Sequence, residues 1–243
     1  MKNIFIMLSI SILFFGCTKD WGNPATRNYP VNAPYTKLDV SNAFEVTVSD
    51  QVTDVVVTVG ELAQERVVVR VVDGELQIGF KPNTWYNGKA TAVIPATIGL
   101  RRLELSGASS FTGNLYSNGD YDSRNAGVKL SGTSTFRGGI DAAELDVELS
   151  GASEAFIDGL DLTKLDKMEI DLSGASTLKA PYLSAESVYG EMSGASNADV
   201  TCCFNLNVKL SGASTLTYGT YSDDCHPVVN CPTSEGSTVR PRY

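Results

Sequence analysis

The chain is poor in the residues that most enzymes use for catalysis and metal binding. Its 243 residues include one histidine, two tryptophans and five cysteines. The single histidine, His226, argues against a Ser-His-Asp hydrolase, because that mechanism needs an imidazole beside the nucleophilic serine. The sequence also has no phosphate-binding loop and no Gly-rich calcium nonapeptide repeat. We therefore expect a protein that is not an enzyme and carries no cofactor or metal.

Positive charge is also scarce. Nineteen Lys and Arg residues stand against twenty-eight Asp and Glu residues, which gives a net charge of −9. Without a basic stripe the chain lacks the electrostatic feature that nucleic-acid binding requires. For the same reason, an anionic membrane surface does not attract the body of the protein by charge.

The longest apolar run, Ile4 to Phe15, is too short to span a membrane as a helix. Lys2 precedes it and Gly16-Cys17 follows it, which resembles a bacterial lipoprotein signal. We expect residues 1–17 to be a signal peptide with Cys17 lipidated, anchoring the protein in the membrane; the alternative is an ordinary signal peptide. Residues 18–36 contain three prolines and several polar residues, which predicts a tether.

A short phrase, Leu-Ser-Gly-Ala-Ser or a close variant, occurs six times between residues 105 and 214. Its first serines are 25, 19, 23, 20 and 18 residues apart, and such a period indicates one structural unit stacked on copies of itself. We predict that each Ser-Gly forms a bend, with the glycine allowing the backbone to turn and the serines bonding exposed backbone groups. The predicted corner residues are Ser106, Gly107, Ser131, Gly132, Ser150, Gly151, Ser173, Gly174, Ser193, Gly194, Ser211 and Gly212.

The residues around each phrase alternate between apolar and polar, as in Val147-Glu148-Leu149, which is typical of a strand with one buried face. Ser, Gly, Thr and β-branched residues are poor helix formers, so no helix is expected in residues 101–218. The period is shorter than that of a propeller blade. We predict an all-β fold, a parallel β-helix (solenoid) of six to seven coils over residues 101–240.

Residues 37–100 lack the phrase but read as strands. Val67–Val72 and Glu75–Phe80 flank Asp73-Gly74, which predicts a hairpin. This β-hairpin-rich section is either a set of irregular first coils or a small sheet that caps the solenoid. Trp85 follows the hairpin, and we expect it to pack there in preference to stacking on sugar rings.

Four cysteines follow Cys17, and an exported chain can keep disulfides. The candidates are Cys202, Cys203, Cys225 and Cys231. A bond between the adjacent Cys202 and Cys203 would be strained, which leaves Cys225–Cys231 or a tail cysteine joined back to Cys202 or Cys203. We expect a clamp that caps the last coil, in preference to a metal or redox site beside His226.

Together, the leading hairpin, the repeated phrase and the lipoprotein signal resemble the head GIN domain of auto-transporter adhesins, a family common in Bacteroidetes envelopes. The resemblance covers residues 37–240 and implies a right-handed parallel β-helix with an exported, surface-associated role. The Cys-rich tail departs from the usual Gly-Ser ending, and Ser234 to Ser237 is read as a degenerate last phrase.

We expect a cell-envelope, outer-membrane lipoprotein, periplasmic or surface-exposed, that is a non-enzymatic adhesin or surface-binding module for glycans or other cell-surface polymers. One alternative is a polysaccharide-active β-helix enzyme, a lyase or glycosidase, which needs clustered carboxylates. Its candidate residues are Asp158, Asp161 and Asp166 in a connecting loop, and Asp171. Another is a structural or sensory envelope component without an external ligand. The sequence does not indicate an oligomeric state.

Overall fold

The computed structural model describes residues 20–117, 124–160, 164–234 and 236–242. The predicted signal peptide and Cys17 lie outside these residues, as does Asp161. The described chain is all-β, as predicted, with twenty strands and one six-residue 3-10 helix, Glu61–Arg66. Within the described part of 101–218 the chain has no helix, in agreement with the sequence.

Seven strands precede the repeated phrases: β1 (Pro24–Tyr29), β2 (Lys37–Val40), β3 (Phe44–Ser49), β4 (Val55–Gly60), β5 (Val67–Val72), β6 (Glu75–Phe80) and β7 (Ala90–Pro95). The remaining strands are β8 (Arg102–Leu105), β9 (Ser110–Thr112), β10 (Leu115–Tyr116), β11 (Asn125–Leu130), β12 (Thr135–Asp141), β13 (Glu144–Leu149), β14 (Glu154–Gly159), β15 (Lys164–Leu172), β16 (Thr177–Met192), β17 (Asn197–Leu210), β18 (Thr215–Gly219), β19 (Val228–Val229) and β20 (Thr238–Pro241).

The strands pair in two long parallel ladders. The first ladder runs β6, β2, β8, β11, β13 and β15, then the second halves of β16 and β17, and ends at β19. The second ladder runs β7, β3, β9, β12 and β14, then the first halves of β16 and β17, and ends at β18 and β20. Each repeated phrase joins a strand of one ladder to a strand of the other.

The sheet is mixed and not purely parallel. Strand β5 pairs antiparallel with β6 at one end of the first ladder. Strand β4 pairs antiparallel with β7 at the same end of the second ladder, and β1 with β4. The front section therefore adds antiparallel strands to the ends of the ladders, where parallel pairing would otherwise leave open edges.

The repeated phrases form the predicted bends. The six glycines have positive φ angles between 70° and 76°, a region that disfavours side chains with a Cβ. At Gly151, an added Cβ would lie 2.5 Å from the carbonyl oxygen of Gly132 in the neighbouring turn. The turns also bond to each other, as when the backbone N–H of Ala152 donates to that same oxygen at 2.7 Å. Glycine is therefore needed both for the turn and for the close approach of successive turns.

The second serine of the phrase is fully buried in all six copies, and in four of them its hydroxyl donates to the carbonyl of the first serine. Ser153 Oγ, for example, lies 2.9 Å from the carbonyl oxygen of Ser150. Each such bond satisfies a backbone acceptor that the bend exposes, and contributes about 1 kcal/mol. These serines have the structural role that their repetition indicates.

Inward side chains of both ladders form one continuous apolar core. Residues in register stack on each other, as Phe111 does on Phe136, with ring centroids 6.0 Å apart. Leu105, Leu130 and Leu149 form a similar buried row on the first ladder. Because every rung repeats the same inward positions, the core continues from rung to rung without a break.

The front section contains the predicted hairpin, because β5 and β6 pair antiparallel around Asp73 and Gly74, both with positive φ. It also contains a rung of the two ladders, in agreement with the alternative of irregular first coils. Val40 pairs with Leu105 and Val46 with Phe111, so β2 and β3 stack on the first repeat. Ser41-Asn42 takes the place of Ser-Gly there, and Asn42 has a φ of 63°.

Part of the segment that we expected to be a tether, residues 18–36, forms a strand instead. Residues 24–29 form β1, which pairs with β4 along its whole length. Trp21 is also buried, with its ring 5.4 Å from that of Tyr86. Local composition suggested a linker because prolines and polar residues dominate it. An edge strand tolerates both, since one side of its backbone faces solvent.

At the other end, Ser234, Gly236 and Ser237 repeat the corner pattern in degenerate form. Gly236 has a φ of 92°, and Ser237 Oγ donates to the carbonyl of Ser234 at 2.7 Å. Thr238 N donates to the carbonyl of Ser214, as expected for the next rung. Among the alternatives left open by the sequence, the disulfide is Cys203–Cys225, a tail cysteine joined back to β17.

Candidate functional site

The outer face of the first ladder carries a groove of about 560 Å³. Its floor is made by the outward positions of alternating strands such as β13, whose leucines and valine are buried while its acidic residues face solvent. Six carboxylates and three basic side chains line this charged groove: Lys37, Glu75, Arg102, Glu104, Lys129, Asp146, Glu148, Glu169 and Asp171, with Leu38, Leu103, Gly127, Val128 and Val147.

Acidic residues dominate one row of in-register positions along the groove. Lys129 lies between Glu104 and Glu148 and forms an ion pair with Glu148 at 2.9 Å. Beyond Glu148 the row continues with Asp171 and then Glu191 before another lysine, Lys209, is reached. Like charges directly opposite on neighbouring strands are destabilising. Glu148 and Glu191 each form an ion pair with a lysine, whereas the central Asp171 has only carboxylates opposite it in the row.

The parallel row beside it starts at Glu75, continues with two basic residues, and ends with acidic ones. Lys37 pairs in register with Arg102, and Asp146 with Glu169. Between them lies Gly127, where an added Cβ would come within 3.1 Å of the Arg102 guanidinium. Gly127 therefore leaves room for the arginine to lie over the floor. No carboxylate of the described residues lies within 4.0 Å of the charged nitrogens of Lys37 or Arg102.

Burial, and then the nearby carboxylates of Glu104 and Glu75, raise the pKa of Asp39 above its usual range. Asp39 belongs to the first row, opposite Glu104. The hydrogen bond from Lys129 to Glu148, together with the charges of Glu148 and Glu104, raises the pKa of Lys129. Negative potential thus dominates this row, whereas Lys37 and Arg102 in the neighbouring row form a cationic pair that is available for an anionic group of a ligand.

Of the sequence-predicted residues, only Asp171 lines the charged groove among the described part of the chain. The repeated Ser-Gly corners join the two ladders and do not line the charged groove. The groove residues were missed because each is the polar member of an ordinary alternating strand. The signal that could have found them lies two residues before the phrase leucine, where Leu103 and Val147 each stand between two charged neighbours and Val128 stands beside Lys129.

The four candidate cysteines form one disulfide and leave two free thiols. Cys203 and Cys225 are joined, while Cys202 is free and buried and Cys231 is free and partly buried. Burial raises the pKa of both free thiols, which disfavours the reactive thiolate. No group of three or more metal-binding side chains occurs among residues 20–117, 124–160, 164–234 and 236–242.

Two of the acidic candidates were expected in a loop but lie on strands. Asp158 belongs to β14 and Asp166 to β15, and both are exposed. Asp171 is an outward position of β15, as expected, and lines the groove. All three carboxylates occupy outward positions of alternating strands, and this alternation was not recognised in the sequence around residue 160.

The expectation for Trp85 is wrong. Its side chain is 66% exposed, and Tyr86 takes the packed position against Trp21 and Phe80. The Tyr86 hydroxyl accepts a hydrogen bond from the backbone N–H of Gly60 at 2.8 Å. Tyrosine suits this site because its ring packs while its hydroxyl finds a partner.

Comparison with solved structures identifies the fold. A "putative adhesin" from Bacteroides fragilis has a TM-score of 0.72 at 14% identity, over 90% of this chain and 97% of that one. A "putative adhesin" from Parabacteroides distasonis has 0.63 at 21% identity, over 91% and 98%. A "putative lipid binding protein" from the same species has 0.64 at 18% identity, over 91% and 98%.

No curated protein matches the sequence. Among the described residues there is no apolar helix of membrane-spanning length. Residues 34–220, however, match the model of the family described as "Putative auto-transporter adhesin, head GIN domain". This match covers the two ladders from β2 to β18 and most of the chain. The chain therefore belongs to that head GIN domain family of adhesins.

Proposed function

We propose that the protein is a lipid-anchored, non-enzymatic adhesion module of the cell envelope that holds charged cell-surface polymers in the charged groove. The observation that carries this proposal is the cationic pair in the groove, where Lys37 and Arg102 face solvent without ion pairs among the described residues. The family supports a surface or envelope location. A long groove suits a polymer, since many weak contacts add up along it.

The proposed architecture is a right-handed parallel solenoid over residues 101–240, which β2, β3, β6 and β7 continue and the antiparallel β1, β4 and β5 cap. In-register parallel pairing from β8 to β18 supports it. The corner glycines, which stack turn on turn, also support it. A rigid stack would hold the groove residues at fixed spacing, about 4.8 Å from rung to rung.

The adhesion proposal is tested with the chain lacking residues 1–17. Binding to host matrix, glycan arrays and envelope fractions is compared for wild type and the Lys37→Glu/Arg102→Glu variant. Charge reversal at the groove should abolish binding to anionic polymers. Arg66→Glu/Lys81→Glu is the matched control, because it changes the net charge equally at exposed positions outside the groove. Equal binding by all three proteins would exclude the groove.

The proposed anchor is tested separately in cells. Cys17 is replaced by serine, and incorporation of a labelled fatty acid is followed together with membrane fractionation. We expect both the label and the membrane association to be lost. Retention of the protein in the outer-membrane fraction without lipid would contradict the anchor.

A second candidate function is cleavage of polysaccharides, which the groove favours because it places Asp146, Glu148 and Asp171 in one depression with Arg102 and Lys129. Incubation with uronate polymers and detection of unsaturated or newly reducing ends tests it. Turnover that disappears in Asp146→Asn or Arg102→Ala would replace the binding proposal by an enzymatic one.

A further inference from the structure

A second cluster of solvent-facing side chains lies near the C-terminal end of the first ladder, outside the residues that line the charged groove. Phe204 is 50% exposed and Tyr221 is 43% exposed, although burial of either ring would be favourable. The ammonium of Lys164 lies 5.6 Å from the centroid of the Phe204 ring and 5.3 Å from that of Tyr221. We call Phe204, Tyr221, Lys164 and Glu186 the aromatic clamp.

The fold holds both rings in place. Between β16 and β17 the register shifts after Ala185, so that Cys203 and Phe204 together oppose the single residue Glu186. This bulge turns the Phe204 ring outward, which is a common use of β-bulges at binding sites. Tyr221 lies on the loop after β18, and the Cys203–Cys225 disulfide ties that loop to the residue next to Phe204.

The polar part of the clamp is neutral overall. Lys164 Nζ forms an ion pair with Glu186 Oε1 at 2.9 Å, and both side chains are about one-third exposed, at 38% each. Hydrogen bonds with Tyr221 and Glu186 raise the pKa of Lys164, so the ammonium stays charged. The rings thus offer apolar faces beside one strong donor and one strong acceptor.

We propose that the aromatic clamp binds a neutral pyranose ring of a polysaccharide chain. A pyranose has an apolar C–H face that can stack on an aromatic ring, and a rim of hydroxyls that both donate and accept hydrogen bonds. An anionic sugar would meet the Glu186 carboxylate. An acyl chain would cover the Lys164–Glu186 ion pair without offering it hydrogen bonds, and desolvating charged groups in that way is unfavourable.

The clamp also extends the binding surface described above. In the row of the groove that contains Lys37, Arg102, Asp146 and Glu169, the next in-register residue after Glu169 is Tyr189. The Tyr189 ring lies 5.9 Å from Lys167 Nζ. A chain lying along the first ladder would meet charged side chains first and aromatic ones towards β17. The inference rests on the proposed function for its polymeric ligand, and it adds a neutral-sugar subsite to it.

The test is a titration of the chain lacking residues 1–17 with soluble oligosaccharides of glucose, mannose and galactose, and with oligogalacturonate. Aromatic NMR signals of Phe204 and Tyr221 should shift with at least one neutral oligosaccharide. The Phe204→Ala/Tyr221→Ala variant should raise its Kd about tenfold or more. Tyr221→Phe, which keeps the ring, should bind nearly as wild type.

Two controls isolate the clamp. Trp85→Ala removes an even more exposed ring at the other end of the ladders and should leave the Kd unchanged. Cys225→Ser releases the Tyr221 loop and should weaken neutral-sugar binding although both rings remain. Circular dichroism of each variant verifies that it is folded.

The outcomes separate the clamp from the groove. The clamp is refuted if neutral oligosaccharides leave both ring signals unmoved, or if the double alanine variant binds them as tightly as wild type. If the Lys37→Glu/Arg102→Glu variant nevertheless fails to bind anionic polymers, the proposed function of the groove is retained without the clamp. A third outcome is that the clamp variants lose binding to neutral sugars while the groove variants bind every polymer as wild type does. That result would support the clamp and exclude the groove.

Discussion

Two glycines with nearly the same backbone angle have different surroundings. Gly74, in the hairpin turn, has a φ of 74° and no atom within 4 Å of where a Cβ would lie. Gly151, in a corner, has a φ of 72° and the Gly132 carbonyl oxygen 2.5 Å from that position. The first needs glycine only for its conformation, whereas the second needs it also because the next turn is so close.

We predict that Gly74→Ala lowers the free energy of unfolding by about 1 kcal/mol, the cost of a left-handed alanine. Gly151→Ala should lower it by about 3 kcal/mol, because neighbouring turns must also separate. Urea denaturation of both variants measures the difference. Equal losses would show that contact between the turns adds nothing.

Asp39 gives a pH-dependent prediction. Its folded pKa is raised, so the folded state binds its proton more tightly than the unfolded state. The contribution of this group to stability therefore increases as pH falls from neutral towards 3.8, the ordinary pKa of an aspartate side chain. Asp39→Asn should stabilise the protein at pH 7 and lose that advantage near about pH 3. Asp50→Asn, at an exposed turn, is the control; identical pH profiles for the two variants would contradict the prediction.

The sequence predicted the corner residues because repetition in register makes them visible. It did not reveal Lys37 and Arg102, since a basic residue at an outward strand position is ordinary. Only the pairing of β2 with β8 brings these two side chains together, although 65 residues separate them in the chain. Contacts set by the pairing of distant strands are not encoded in local pattern.

At the scale of strands, the row Glu148, Asp171 and Glu191 opposes like charges on three neighbouring strands. We predict that Asp171→Lys stabilises the protein by about 0.5 kcal/mol or more, since it replaces two repulsions by two attractions. Glu154→Lys is the control, because its in-register neighbours are Thr135 and Thr177. Urea midpoints that rise equally for both variants would argue against cross-strand repulsion.

The disulfide acts on the C-terminal elements. Cys203–Cys225 spans 22 residues of sequence, and closing a loop of that size stabilises a fold by about 3 kcal/mol. The Cys203→Ala/Cys225→Ala variant should lose about that much stability, whereas Cys231→Ala, which removes a free thiol, should lose less. Thermal unfolding under non-reducing conditions measures it. A double variant as stable as wild type would mean that the cap holds without the bond.

Alternation predicted the existence of most strands, and the Asp-Gly turn predicted the hairpin. Prediction from local sequence failed at β1, where prolines suggested a linker, and at Trp85, where the neighbouring Tyr86 packs instead. In both places tertiary pairing decided the outcome and local preference did not. The bulge that exposes Phe204 was equally invisible, because a register shift depends on the partner strand.

Over the whole molecule, the net charge of −9 is concentrated in part along one ladder face. We predict that raising NaCl from about 0.01 M to about 0.1 M, which shortens the screening length from about 30 Å to about 10 Å, stabilises the protein. The Asp39→Asn/Asp171→Asn variant should gain less. The measurement is the thermal midpoint, and a midpoint that is flat or falls with salt would disagree.

Hydrogen bonds between rungs have a consequence for how such a surface can change. Each turn and strand bonds chiefly to the copy before it and the copy after it, so a whole rung can in principle be duplicated or removed with little effect elsewhere. One extra rung would lengthen the charged surface by about 4.8 Å. Reach along a partner could therefore evolve through copy number, independently of the chemistry at any single position.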